Sequence, residues 1–160
     1  MAENRGKQFE GVVKEAFEKV PGVSIDRLHD QTNGFVGSSN ICDFIVYKEP
    51  NEIYIECKSC HGNTFPLSNI TDNQRKGMLE KSNIYGVLAG VIIWWVDKDL
   101  TVFVPIKEIQ RLKDEDHKSI SANAVLDGYI WCYEIPGKKK RVFFDYDMQK
   151  FLEDVQSGKD

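Results

Sequence analysis

At 160 residues and 41% hydrophobic content the chain is long enough to close a real core, and one domain spanning 1–160 is expected. Its 21 Lys and Arg against 25 Asp and Glu leave a net charge of −4, which excludes a general polycationic nucleic-acid binder but not a local basic rim. The most apolar run, Val87 to Val96, is too short for a membrane span, and no apolar leader follows "MAENRGKQFE", so no membrane partner is expected.

In chain order, Phe9, Val12, Val13, Ala16, Phe17 and Val20 recur at helical spacing, predicting an amphipathic helix from Arg5 to Lys19 that Pro21-Gly22 ends. A short strand near Val23–Leu28 and a polar loop follow. Ile41–Lys48 and Ile53–Ser59 read as a hairpin turned by "EPNE". Thr71 stands as the cap of a helix from Asp72 to about Lys81. Ala89–Val96 is continuously apolar, as a strand covered on both faces requires. Leu100–Val104 is the next strand and Ile106–Lys113 a helix. These elements give a core of about 5–113. A C-terminal unit, 117–156, is expected as a hairpin (Tyr129–Ile135 with Val142–Asp145, around "PGKKKR") and a helix from Asp147 to Val155. The pattern is α/β, a central mixed sheet flanked by helices.

The segment 40–63, "NICDFIVYKEPNEIYIECKSCHGN", carries the chemistry. Strand side chains alternate faces, so Tyr54, Glu56 and Lys58 share one side while Ile53, Ile55 and Cys57 share the other. Asp43 on the neighbouring strand faces the side of Glu56 and Lys58. Two acids and one base among Ile, Phe, Val and Tyr leave an uncompensated negative charge on core strands, which is costly unless a cation neutralises it. Hard oxygen ligands of this kind, with a main-chain carbonyl, suit Mg²⁺ with Mn²⁺ as substitute. The chemistry such a set supports is phosphodiester hydrolysis, Lys58 positioning water or stabilising charge on the phosphate. A surface salt bridge is the plainer reading of a Glu–Lys pair at this spacing. Cys57-Lys58-Ser59-Cys60-His61 also spells the haem-attachment pattern CxxCH, but alternation sends Cys57 to the core and no export signal exists; no haem is expected. The four cysteines are expected as reduced thiols in a cytoplasmic protein.

The order "NRGKQFE", Asp43, "IECK" and "FPLSNITDNQ", continuing into "HKSIS" and "DYDMQKFLEDV", resembles the RecU family of Holliday-junction resolvases, phage-encoded relatives included. The resemblance implies the PD-(D/E)xK restriction-endonuclease-like core. It implies a Mg²⁺-dependent nuclease that resolves four-way DNA junctions by paired nicks as a homodimer, in a bacterial or phage-infected cytoplasm. Residue by residue it implies Asp43 and Glu56 as metal ligands, assisted by Glu10 on the first helix and the Cys57 carbonyl. Lys58 becomes the motif lysine, Gln74 the glutamine bordering the site, and Arg5 a neighbour of DNA phosphate. The plain readings are an exposed Glu10–Lys14 pair one turn apart, a solvated Gln74 and a frayed Arg5. The chain departs from the family in lacking the long basic stalk: Pro21 to Cys42 holds only Arg27 and His29 as basic residues.

DNA contacts are therefore expected from Lys138, Lys139, Lys140 and Arg141 at a hairpin tip, from Arg75 and Lys76 after Gln74, and from Lys118. Trp94-Trp95 reads as core, and His29, His61 and His117 as surface residues without ligand spacing. Two alternatives stand beside junction resolution: a nuclease of the same fold acting on duplex, flap or ends, and a DNA-architectural protein with an inert site.

Overall fold

The computed structural model describes residues 2–28 and 40–158, with backbone alone for 2–4; His29 lies outside them. Helix α1 (Ala2–Glu18) precedes β1 (Ser24–Arg27), β2 (Phe44–Lys48) and the long β3 (Asn51–Cys60). A short β4 (Thr64–Pro66) leads into α2 (Asp72–Ser82), then β5 (Val87–Trp95), β6 (Leu100–Pro105) and α3 (Ile106–Asp114). The chain closes with β7 (Ser119–Ser121), α4 (Ala122–Leu126), β8 (Tyr133–Glu134), β9 (Gly137–Lys139), β10 (Phe144–Tyr146) and α5 (Met148–Gln156). Among the described residues no helix is long and apolar enough to cross a membrane.

The main sheet runs β1-β2-β3-β5-β6-β8. Only β3 and β5 are parallel, joined through α2; every other neighbouring pair is antiparallel, so the sheet is mixed, as the apolar pattern predicts. Period-two alternation then divides the core. Ile53, Ile55 and Cys57 of β3, with Ile92 and Trp94 of β5, bury against Phe9, Val13 and Phe17 of α1 and Phe151 of α5. Tyr54, Val91, Ile93 and Trp95 bury on the opposite side with Met78 of α2 and Ile106 and Ile109 of α3. Both tryptophans are core residues, 1% and 0% exposed, one on each side of the sheet. Trp94 packs against Phe9 and Phe143, with ring centroids 5.2 and 5.4 Å apart.

The tail pairs differently from the expected hairpin. Tyr133–Glu134 adds to the main sheet beside β6, while Gly137–Lys139 pairs with Phe144–Tyr146. The reason is burial: Tyr133 and Ile135 belong to the α1-side core, which fixes 133–135 on the sheet and leaves "GKKKR" as the outgoing arm of the second ribbon. Tyr146, Met148, Phe151 and Leu152 enter the same core cluster as α1. The small antiparallel pair β4–β7 has no legible sequence pattern either, each strand being three residues long.

One glycine ties the fold to the site. A Cβ at Gly77 on α2 would overlap the Ile41 side chain, two residues before Asp43. Helix propensity favours Ala over Gly by about 1 kcal/mol, so Gly77→Ala is expected to keep the fold while displacing the segment that carries Asp43. Cleavage should fall at least about tenfold, because small displacements of a reacting group are costly. Circular dichroism melts beside a cleavage assay check this; wild-type turnover in the variant would contradict it.

Candidate active site

The β2–β3 register sets Phe44 opposite Ile55 and Ile45 opposite Tyr54, so Asp43, one residue before β2, continues the ladder opposite Glu56. Backbone bonds hold it there: Asp43 N–H donates to the Ile55 carbonyl at 3.0 Å, and its own carbonyl accepts from Leu28 N–H at 2.8 Å. The Asp43 carboxylate in turn accepts from Cys57 N–H at 2.8 Å through Oδ2. Asp43 and Glu56 lie close enough to act on each other electrostatically. Lys58 Nζ stands 3.3 Å from Glu56 Oε2.

Glu56 is 5% exposed, a carboxylate inside the α2-side layer. Burial and the adjacent Asp43 charge push its pKa from 4.5 up to about 8, against the pull of Lys58. Burial raises Asp43 as well, opposed by the Cys57 N–H, Glu56, Lys58 and Arg27. Burial and the closeness of the two carboxyls thus disfavour their simultaneous ionisation, and Lys58 opposes this only in part.

Helix α2 aims Gln74 at this pair. Thr71 Oγ1 accepts from Gln74 N–H at 3.1 Å, and Gln74 Oε1 accepts from Thr71 N–H at 3.0 Å, a reciprocal capping box. With Oε1 so engaged, the amide NH₂ points the other way and donates to Glu56 Oε2 at 3.0 Å. Thr71 is the cap that the sequence predicts. Gln74 serves cap and site together, a double role for which Thr-x-x-Gln is the available sequence signal. Gln74→Ala is expected to lose about 1 kcal/mol of stability and 10- to 100-fold in cleavage, since it frees the helix end and the Glu56 carboxylate at once. Thr71→Val, which loses the cap alone, should cost stability with a smaller loss of rate; equal rate losses in the two would contradict the orienting role.

Lys14 binds Glu18, one turn on, at 2.9 Å, and Glu10 has a partner on another element. It binds Arg27 of β1 at 3.0 Å, and the Arg27 guanidinium lies 4.9 Å over the Phe44 ring. Arg27 acts electrostatically on Asp43, and both Glu10 and Arg27 on Cys57, so the pair borders the Asp43 end of the site. No sequence signal marks Arg27 as the partner of Glu10. Among the described residues no three His, Cys, Asp or Glu side chains form a set that would hold an ion alone. A cation here needs main-chain and solvent oxygens beside Asp43 and Glu56, which suits an ion that retains several waters.

The CxxCH residues are split by the sheet. Cys57 is buried, against α1, and Cys60 packs with the opposite core, so one porphyrin cannot reach both sulfurs. Of the expected DNA contacts, Lys76, Lys118, Lys138, Lys140 and Arg141 are exposed. Lys139 binds Asp99 at 2.9 Å. The Arg75 side chain is only 13% exposed; it donates to Gln110 and reaches Asp72 at 3.4 Å, engaged within the α2–α3 layer. Arg5 touches His61 at 3.1 Å.

Comparison with known proteins follows the same lines. A family model described as RecU, recombination protein U, matches residues 7–140. The crystal structure of Hjc from Archaeoglobus fulgidus, a Holliday junction resolvase from an archaeal hyperthermophile, is similar in fold. It has a TM-score of 0.57 and 17% identity, covering 81% of this chain and 95% of that one. No match was found among curated protein sequences.

Proposed function

We propose a mechanism from one premise: this chain belongs to the RecU family, recombination protein U. It is a nuclease of the Holliday-junction-resolving class. Asp43, Glu56 and the Cys57 carbonyl would hold a divalent cation, Mg²⁺ with Mn²⁺ substituting. The donor set fits: hard carboxylate oxygens, held close together and largely buried, whose joint charge Lys58 offsets only in part. Such an ion, when bound, lowers the pKa of a water and draws off charge from the phosphate.

The protein's own groups do the rest. Gln74 fixes the Glu56 carboxylate by donating to Oε2. Cys57 N–H fixes Asp43 through Oδ2. Lys58, held 3.3 Å from Glu56, offers an ammonium to the attacking water or to the phosphate oxygen that gains charge. Glu10, anchored by Arg27, borders the site as a further acid. The exposed cations Lys76, Lys118, Lys138, Lys140 and Arg141 would meet phosphates, and Arg75 would act through packing. Two copies related by a two-fold axis would set two such centres against opposed strands of a junction.

The observation that carries this reading is the pairing of Asp43 with Glu56 across β2–β3 beside Lys58. Incubating the protein with a synthetic four-way junction, a flap and a linear duplex tests it. Paired nicks in the junction are expected; preferential cutting of duplex or flap would reassign the substrate.

A further inference from the structure

The C-terminal ends of the parallel strands β3 and β5 carry a chain of contacts outside the carboxylate centre. Asp97, in the turn between β5 and β6, accepts from Gly62 N–H at 2.6 Å through Oδ2. Its Oδ1 lies 3.4 Å from Nδ1 of His61. The other ring nitrogen, Nε2, lies 3.1 Å from Nη1 of Arg5 on α1. The Gly62 bond and His61 hold Asp97 below the usual carboxylate range.

These contacts fix the proton positions. A guanidinium only donates, so Nε2 of His61 accepts and the ring proton sits on Nδ1, facing Asp97. A carboxylate that orients a histidine by its far nitrogen is the arrangement that sets ring angle and tautomer at functional histidines. Here the histidine is 66% exposed and Asp97 53%, so neither is needed to fill a core. A guanidinium carries five N–H donors, so an Arg5 that gives one to His61 can still offer others to a ligand. His61 follows Lys58 by three residues, about 10 Å along the chain, so the two side chains can reach nearby phosphates of one DNA strand. The same turn carries Asp99, which binds Lys139 at 2.9 Å, so the basic β9–β10 ribbon meets the sheet at this edge too.

We propose that His61, oriented by Asp97, is a positioning residue that aims the Arg5 guanidinium at a DNA phosphate beside the cut site. This rests on the nuclease reading above. The phosphate-contacting group is Arg5; His61 and Asp97 act through it.

The test is a double-mutant cycle on the full chain, reading KM and kcat for a synthetic four-way junction and, separately, binding by fluorescence anisotropy without divalent ions. His61→Ala and Arg5→Ala should each weaken binding about 5-fold and raise KM more than they lower kcat. The double variant should be no weaker than Arg5→Ala. His61→Gln, whose amide keeps one donor for Asp97 and one acceptor for Arg5, should recover most of the affinity; Asp97→Ala should behave like His61→Ala. Unchanged melting temperatures show that the losses are not unfolding. An inert wild type would overturn the nuclease reading and this inference with it. An active wild type whose KM does not move in His61→Ala, or a double variant whose losses add, overturns this inference alone.

Discussion

Replacing Asp43 by Asn is expected to lower junction cleavage about a thousand-fold, roughly 4 kcal/mol of transition-state stabilisation, while junction binding stays near wild type. Asn is nearly isosteric and can still accept from Cys57 N–H, so the 2.8 Å contact that seats residue 43 survives. What disappears is a charge. The buried Glu56 is left without its partner carboxylate, and a divalent cation loses half of the negative pair that would hold it. The opposite effect is expected on stability. Burial and mutual repulsion make this pair expensive, so the metal-free Asp43→Asn variant should melt higher than wild type at alkaline pH. A gain in stability beside a loss in rate separates a functional site from a structural ion pair, whose disruption would lower both. Gel assays of cleavage and binding, with calorimetric melts in chelator, decide the matter.

The second large effect is a pH dependence of the metal-free fold. Glu56 ionises near 4.5 when unfolded but near 8 in the native protein, because burial and Asp43 disfavour its charge. Native protein therefore binds more protons than unfolded chain between those values, and stability must fall as pH rises across that window. Below it both states are protonated, and above it both are ionised, so the curve levels at each end. A decline on the order of 5–10 °C in melting temperature is expected from about pH 5 to about pH 8. Glu56→Gln removes the titrating group and should flatten most of that decline, melting above wild type at the alkaline end. Mg²⁺ or Mn²⁺ should raise the wild-type melting temperature there and leave Glu56→Gln nearly unmoved. A wild-type profile that rises across the same window in chelator would contradict the burial of an unmatched carboxyl.

Much of the site is legible in the sequence because strands enforce a period of two. With Ile53, Ile55 and Cys57 inward against α1, Glu56 and Lys58 have to point to the other side, and an antiparallel hairpin turned at Glu49–Pro50 brings Asp43 across from Glu56. The alternation of strand and helix likewise dictates the mixed sheet, since β3 and β5 can be parallel only with α2 crossing between them. What stays hidden depends on contacts between distant segments. Arg27 reaches Glu10 from β1, and Arg5 reaches His61 from 56 residues away in the chain; neither spacing has a local pattern. The tail misleads because charge marks an exposed ribbon but not its partner: Tyr133 is drawn to Phe103 and Phe151 in the core, and that burial, not the turn, decides where the strand pairs. Arg75 shows the same limit, a cation beside Gln74 in sequence whose side chain is taken up by Gln110 and Asp72.

The most direct measurement is cleavage of a four-way junction labelled in turn on each strand, with Mg²⁺ and with chelator, by wild type and by Asp43→Asn. A metal centre built on Asp43 and Glu56 predicts symmetric nicks in two opposed strands, only with the metal and only by wild type. Cutting that persists in chelator, or at an undiminished rate in Asp43→Asn, would contradict it.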